Sequence, residues 1–251
     1  PAVAAGRCPR LGGSRDFAGH VPLQPCDIGH AVAMFREPSQ RIISAFYDFT
    51  PFSLHAVAPG LTLREQAGLH RAADPGEYLA FRSRSGARPA AGCMAKMVLG
   101  LQCYTDVNIT GGMVREAVGR LRRGFAFVGA LEFWPASVEL FRRKVGGDPK
   151  PFDLLHTKSS PHRGARPGGG ADTAGALWAR WHRSYGAYDV ERVRGERDEV
   201  DEEVYEAALR IFVEDCRRYG VDLPAHGVPW DVAEAYAEAR RSRPALPDAS
   251  G

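Results

Sequence analysis

Lysine is scarce in this chain of 251 residues: Lys96, Lys144, Lys150 and Lys158 are the only ones, and the other 29 of its 33 basic residues are arginine. Chemistry that needs a lysine in the first third of the chain is therefore excluded. Alanine and glycine richness accompanies this bias, so an isolated arginine carries little functional weight. The formal charge of +3 is too small to make nucleic acid the default partner, although it leaves room for an anionic ligand. No run of eighteen apolar residues occurs and no charged, apolar leader opens the chain, so it holds neither a membrane span nor a recognisable address. Cysteine is also sparse. Cys8, Cys26, Cys93, Cys103 and Cys216 form no CxxC pair and no zinc-like spacing, so neither a stapled mini-fold nor a thiolate metal site follows from them. No Gly-Lys-Ser/Thr phosphate loop occurs, which disfavours a nucleotide kinase.

What remains is an ordinary globular composition, 44% hydrophobic and 25% charged, with enough material for a sizeable core. Residues 1–27 read as loop. His30–Phe35 is a short apolar run that stops at Arg36-Glu37-Pro38, the pattern of a buried parallel strand. The stretch 39–47 then places Ile42, Ile43, Phe46 and Tyr47 on one helical face, with Pro38 at the start. Such a strand–turn–helix aims backbone N–H groups and the positive end of the helix dipole at the strand's carboxyl end, where phosphates bind in open α/β folds. Between residues 50 and 91 Pro51, Pro59, Pro75 and Pro89 break any long element, leaving one short helix near 63–69. Helices are predicted over 112–123, 135–144, 196–219 and 230–241, with a second buried strand over 125–129. Helix, strand, helix in that order indicates an α/β layer. The acidic start and basic end of the 196–219 helix complement its dipole. Residues 146–176 form a long glycine- and proline-rich loop, and the chain ends in a polar tail.

Arg36 at the strand end and Ser44 two turns into the helix are an arrangement that lets a guanidinium and a hydroxyl clasp one phosphate. The alternative is an arginine that pairs with Glu37. Glu132, just after the second strand, is either a cleft residue that acts through an arginine or a surface residue. His30 reads as structural.

The segment Phe35-Arg-Glu-Pro-Ser-Gln-Arg-Ile-Ile-Ser-Ala-Phe-Tyr47 resembles the 3′-phosphate motif of sulfotransferases that use PAPS (3′-phosphoadenosine 5′-phosphosulfate), in particular the Golgi carbohydrate group. Arg36, Pro38, Arg41, Ser44, Phe46 and Tyr47 match it, and Glu37 stands where an aspartate is usual. Gly19-His20-Val21-Pro22, the helix-like Gly92–Gly100 with Cys103, Phe127–Glu132 with Ser137-Val138, and His156-Thr-Lys-Ser-Ser160 agree in order. The resemblance covers roughly residues 17–220 and is similar in its Gly-His-Val element to uronyl and heparan 2-O-sulfotransferases.

The resemblance implies a three-layer α/β fold of the P-loop NTPase type with a mostly parallel sheet, in a sulfotransferase domain over 1–220, followed by a helix and tail over 221–251. It implies sulfuryl transfer from PAPS to a carbohydrate hydroxyl. Arg36 and Ser44 would hold the 3′-phosphate, His20 would be the base, and Thr157, Lys158 and Ser159 would reach the co-substrate from the long loop, with no metal required. A Golgi-lumenal domain on a membrane-anchored protein is implied as well, and in that compartment Cys93 and Cys103 would form a disulfide; two buried thiols are the alternative. The family's Pro-Lys-type loop for the 5′-phosphosulfate has no counterpart, since the first lysine is Lys96. The chain is thus expected to start after that loop, or to be a degenerate member that holds a glycan or nucleotide without turnover.

Overall fold

The computed structural model describes residues 22–48, 60–147 and 188–242. The first apolar run is strand β1, Ala31–Phe35, followed by helix α1, Pro38–Asp48. His30 falls outside the strand, in an exposed turn before it. Pro38 occupies the first helical position, where a missing N–H costs nothing. Glu37 caps the helix, its carboxylate accepting the Gln40 N–H at 2.9 Å. Ile42 and Ile43 are fully buried, as their spacing predicts.

Helix α2, Leu63–His70, starts in a reciprocal capping box between Thr62 and Glu65. Helix α3, Pro75–Ala80, corrects the sequence expectation: Pro75 does not break an element but opens one, behind the Asp74 side chain that accepts the Glu77 N–H. Its second residue must be small. A Cβ on Gly76 would lie 2.9 Å from the Val193 carbonyl oxygen in the 3-10 turn Val190–Val193. Helix α4, Cys93–Val98, is followed by α5, Gly111–Gly124, strand β2, Phe125–Ala130, and helix α6, Trp134–Val145. Helices α7, Glu199–Tyr219, and α8, Val232–Ser242, complete the described chain.

β1 and β2 pair in parallel, with Met34 opposite Gly129. A Cβ at 129 would meet the Met34 sulfur at 2.5 Å and the Phe127 ring at 2.8 Å, so any larger residue there makes those side chains shift. The architecture among the described residues is therefore mixed helix and strand around a two-stranded parallel sheet. β2 is the inner strand, buried from Phe127 to Ala130 with α6 and α7 packed against it. β1 keeps Val32 (56%) and Met34 (37%) exposed.

The main core collects Phe127, Phe133, Tyr205, Phe212 and Tyr236 around α7, and residues beyond 220 belong to it through Val221, Val232 and Tyr236. A second cluster seats α1, α2 and α3 through Ile42, Ile43, Leu69, Tyr78 and Leu79. Helix α4 serves both: Cys93 lies in the second cluster, while Met94, Ala95 and Val98 lie in the first. The Cys93–Cys103 disulfide is formed, which settles the alternative left open by sequence, and Cys216 is a buried free thiol.

Candidate functional site

The carboxyl end of β1 gathers Arg36, the start of α1, Glu132 and Tyr188. Three backbone N–H groups there are already committed. Glu37 N–H donates to Glu132 Oε1 at 2.9 Å, Gln40 N–H to the Glu37 carboxylate, and Arg41 N–H to the Glu37 carbonyl at 2.8 Å. The generic anion site at a helix start is thus filled by the chain's own carboxylate. Glu132 is buried rather than on the surface, and its second oxygen accepts the Tyr205 hydroxyl at 2.7 Å. Of the two sequence alternatives for Glu132, the surface position is thereby set aside.

Gln40, Ser44 and Tyr47 stand at i, i+4 and i+7 and so share one face of α1. Gln40 clamps the Tyr188 backbone from both sides, its amide donating to the carbonyl and accepting the N–H, each at 2.7 Å. The Tyr47 ring stacks on the Tyr188 ring with centroids 5.7 Å apart. Arg36 lies over the same Tyr188 ring at 5.4 Å, and Arg192 lies over Tyr47 and donates to its hydroxyl. The result is a ladder of arginine, tyrosine, tyrosine and arginine along α1.

Within this segment the donors divide sharply. Half-buried Arg36 makes no ion pair with any described residue, so the pairing with Glu37 weighed above does not occur. The Ser44 hydroxyl likewise has no hydrogen-bond partner among the described residues. Both are the donor types that an anion needs.

Arg41 is the opposite case. Its Nη2 donates to Asp198 Oδ2 at 2.8 Å and to the Ala90 carbonyl at 2.9 Å, and its Nε lies 3.2 Å from Asp201 Oδ2 without hydrogen-bond alignment. The two aspartates also take the start of α4. Gly92 N–H donates to both Asp198 oxygens at 2.9 Å, and Met94 and Ala95 N–H to the Asp201 carboxylate at 3.0 Å. Lys96, fully buried beside them, donates to the Pro89 carbonyl at 2.9 Å. One buried knot therefore joins α1, α4 and α7 at the junction of the two cores.

The knot makes a pH prediction. Burial, and then the like charge of Asp198, push the Asp201 carboxyl up to about 7, against the pull of Arg41. An unfolded aspartate titrates near about 3.9, so between these values the folded protein keeps a proton the unfolded chain has lost, and stability falls as pH rises. Burial pushes Lys96 down to about 8, against the nearby Asp201 and Asp198 carboxylates. An unfolded lysine titrates near about 10.4, so above pH 8 the sign reverses and stability recovers. Unfolding midpoints are expected to show this as a difference between variants: Asp201→Asn removes the falling limb, and Lys96→Met removes the rising one.

His20, Thr157, Lys158 and Ser159 lie outside the described residues. Arg36 and Ser44 are thus the two predicted site residues that the structure places, on one strand–helix unit. Sequence reasoning overlooked Gln40 and Arg192; the i, i+4, i+7 spacing of Gln40, Ser44 and Tyr47 was the available signal for the first. Among the described residues no group of three or more His, Cys, Asp or Glu could hold a metal ion, and no helix is long and apolar enough to cross a membrane. Comparison with family models, with curated proteins and with solved structures finds no match to this chain.

Proposed function

We propose that this protein is a PAPS-dependent sulfotransferase that moves a sulfuryl group to a hydroxyl of a carbohydrate. One observation carries the reading: in the segment that resembles the 3′-phosphate motif, Arg36 and Ser44 are uncommitted donors while Glu37, Gln40 and Arg41 are engaged by the fold. A guanidinium and a hydroxyl fit a phosphate monoester, so Arg36 and Ser44 hold the 3′-phosphate. PAPS supplies an activated sulfuryl group. His20 takes the acceptor hydroxyl's proton, as an imidazole near neutrality suits, and Thr157, Lys158 and Ser159 cover the co-substrate.

The finer fold, a three-layer P-loop-type sheet, belongs to the same proposal. Its support is the parallel β1–α1 and β2–α6 arrangement, with an exposed apolar side on β1 of the kind that parallel sheets normally cover. The Cys93–Cys103 disulfide supports the lumenal, oxidising setting that the resemblance implies.

A second reading, a catalytically inactive relative that holds a glycan or nucleotide, is favoured by the state of the lysines. Lys96 is buried against the Pro89 carbonyl and Lys144 pairs with Asp215 at 2.6 Å, so neither is available to hold a 5′-phosphosulfate. Transfer of labelled sulfate from PAPS to uronic-acid polysaccharides, assayed for this chain and for a form extended upstream of Pro1, separates the readings. Labelled polysaccharide supports the enzyme. Binding of 3′-phosphoadenosine 5′-phosphate without transfer by either form selects the inactive relative, and phosphoryl transfer from ATP would point to a kinase instead.

A further inference from the structure

Asn108 is the only asparagine among the 251 residues. It stands in Asn108-Ile109-Thr110, the acceptor pattern for N-linked glycosylation. Serine and threonine together fill 18 of the 251 positions, so an asparagine placed without regard to its neighbours meets one at that offset roughly one time in fourteen. The one asparagine of the chain thus sits in the acceptor context.

The structure presents this tripeptide to solvent. It lies in the loop between α4 and α5, where Asn108 and Thr110 are exposed while Ile109 between them packs on the main core. The Asn108 side chain makes no hydrogen bond to any described residue. Thr110 accepts the Met113 N–H at 3.4 Å and so caps α5, which fixes the backbone on the C-terminal side of the acceptor. An independent feature points the same way. The Cys93–Cys103 disulfide closes five residues upstream, and such bonds form where secreted chains fold, the compartment in which oligosaccharide is also transferred.

We propose that Asn108 is an N-glycosylation site. In the reaction the Asn108 Nδ2 forms a bond to the anomeric carbon of an oligosaccharide carried on a lipid diphosphate. The carbon–oxygen bond to the diphosphate breaks, the amide gives up one proton, and the lipid diphosphate leaves. The glycan stands on the solvent side of the α4–α5 loop, where neither cluster of the core has to move.

The test needs no enzymatic activity, so its outcome is separate from that of the sulfotransferase reading. The chain is secreted from a eukaryotic cell, and the peptide carrying Asn108 is examined by mass spectrometry before and after treatment with peptide N-glycosidase. The expected result is a glycosylated peptide that the enzyme converts to one with aspartate at 108. Asn108→Gln is expected to give a single faster-migrating species that the glycosidase leaves unchanged, while Thr110→Ser keeps the glycan. Recovery of bare Asn108 peptide from the secreted wild-type chain overturns the proposal.

Discussion

Above pH 7, where both aspartates are charged, Arg41→Ala is expected to cost about 3–5 kcal/mol of folding stability, because it strands two buried carboxylates that share one guanidinium. Asp198 and Asp201 are both almost completely buried, and Arg41 reaches both and the Ala90 carbonyl as well. A domain of this kind has roughly 5–15 kcal/mol in total, so the variant loses a large share of it. The loss is read from urea unfolding. Arg41→Lys keeps the charge but not the planar fork, and is expected to fall between wild type and alanine. A change confined to ligand binding, with stability intact, would show that Arg41 serves the site and not the fold.

His20→Ala is expected to lower sulfate transfer by about 10²–10⁴-fold, the usual contribution of a positioned general base. Binding of 3′-phosphoadenosine 5′-phosphate is expected to stay as in wild type, since in the proposed role the imidazole acts on the acceptor's hydroxyl and not on the 3′-phosphate. The comparison belongs in a form extended upstream of Pro1 that transfers sulfate. Unchanged turnover there removes His20 from the base role, and loss of both turnover and binding would make it a positioning residue for the co-substrate.

Elements with a local cause were legible in the sequence. β1 follows from an apolar run cut off at Arg36, α1 from Pro38 with Ile42 and Ile43, and α7 from its apolar spacing and charge gradient. Elements whose cause is distant were not. α4 came only from the resemblance over Gly92–Gly100: it has six residues, too few to stand alone, and its first N–H groups are held by carboxylates more than a hundred residues away. Pro75 read as a breaker although its cap, Asp74 accepting the Glu77 N–H, is local; only the close approach of Gly76 to the Val193 carbonyl needs the folded chain.

The acidic start of α7 shows the same limit. Sequence credits Asp198 and Asp201 to the helix dipole, yet their main work is to hold Arg41 and the start of α4. The candidate site is legible in part for the same reason. Arg36 and Arg41 look alike within one motif, and only partners 157 and 160 residues further on, at the start of α7, distinguish the arginine held by the fold from the arginine with no ion pair among the described residues.

That distinction is also the most direct test. Calorimetry with 3′-phosphoadenosine 5′-phosphate, run on wild type and Arg36→Ala in this chain and in the form extended upstream of Pro1, reads the 3′-phosphate site itself. Removing Arg36 forfeits hydrogen bonds to a charged group worth about 1.5–3 kcal/mol, so binding is expected to weaken about 10–100-fold while the unfolding midpoint barely moves. Absence of binding by wild type in both forms, or equal affinity of wild type and Arg36→Ala, would contradict the account.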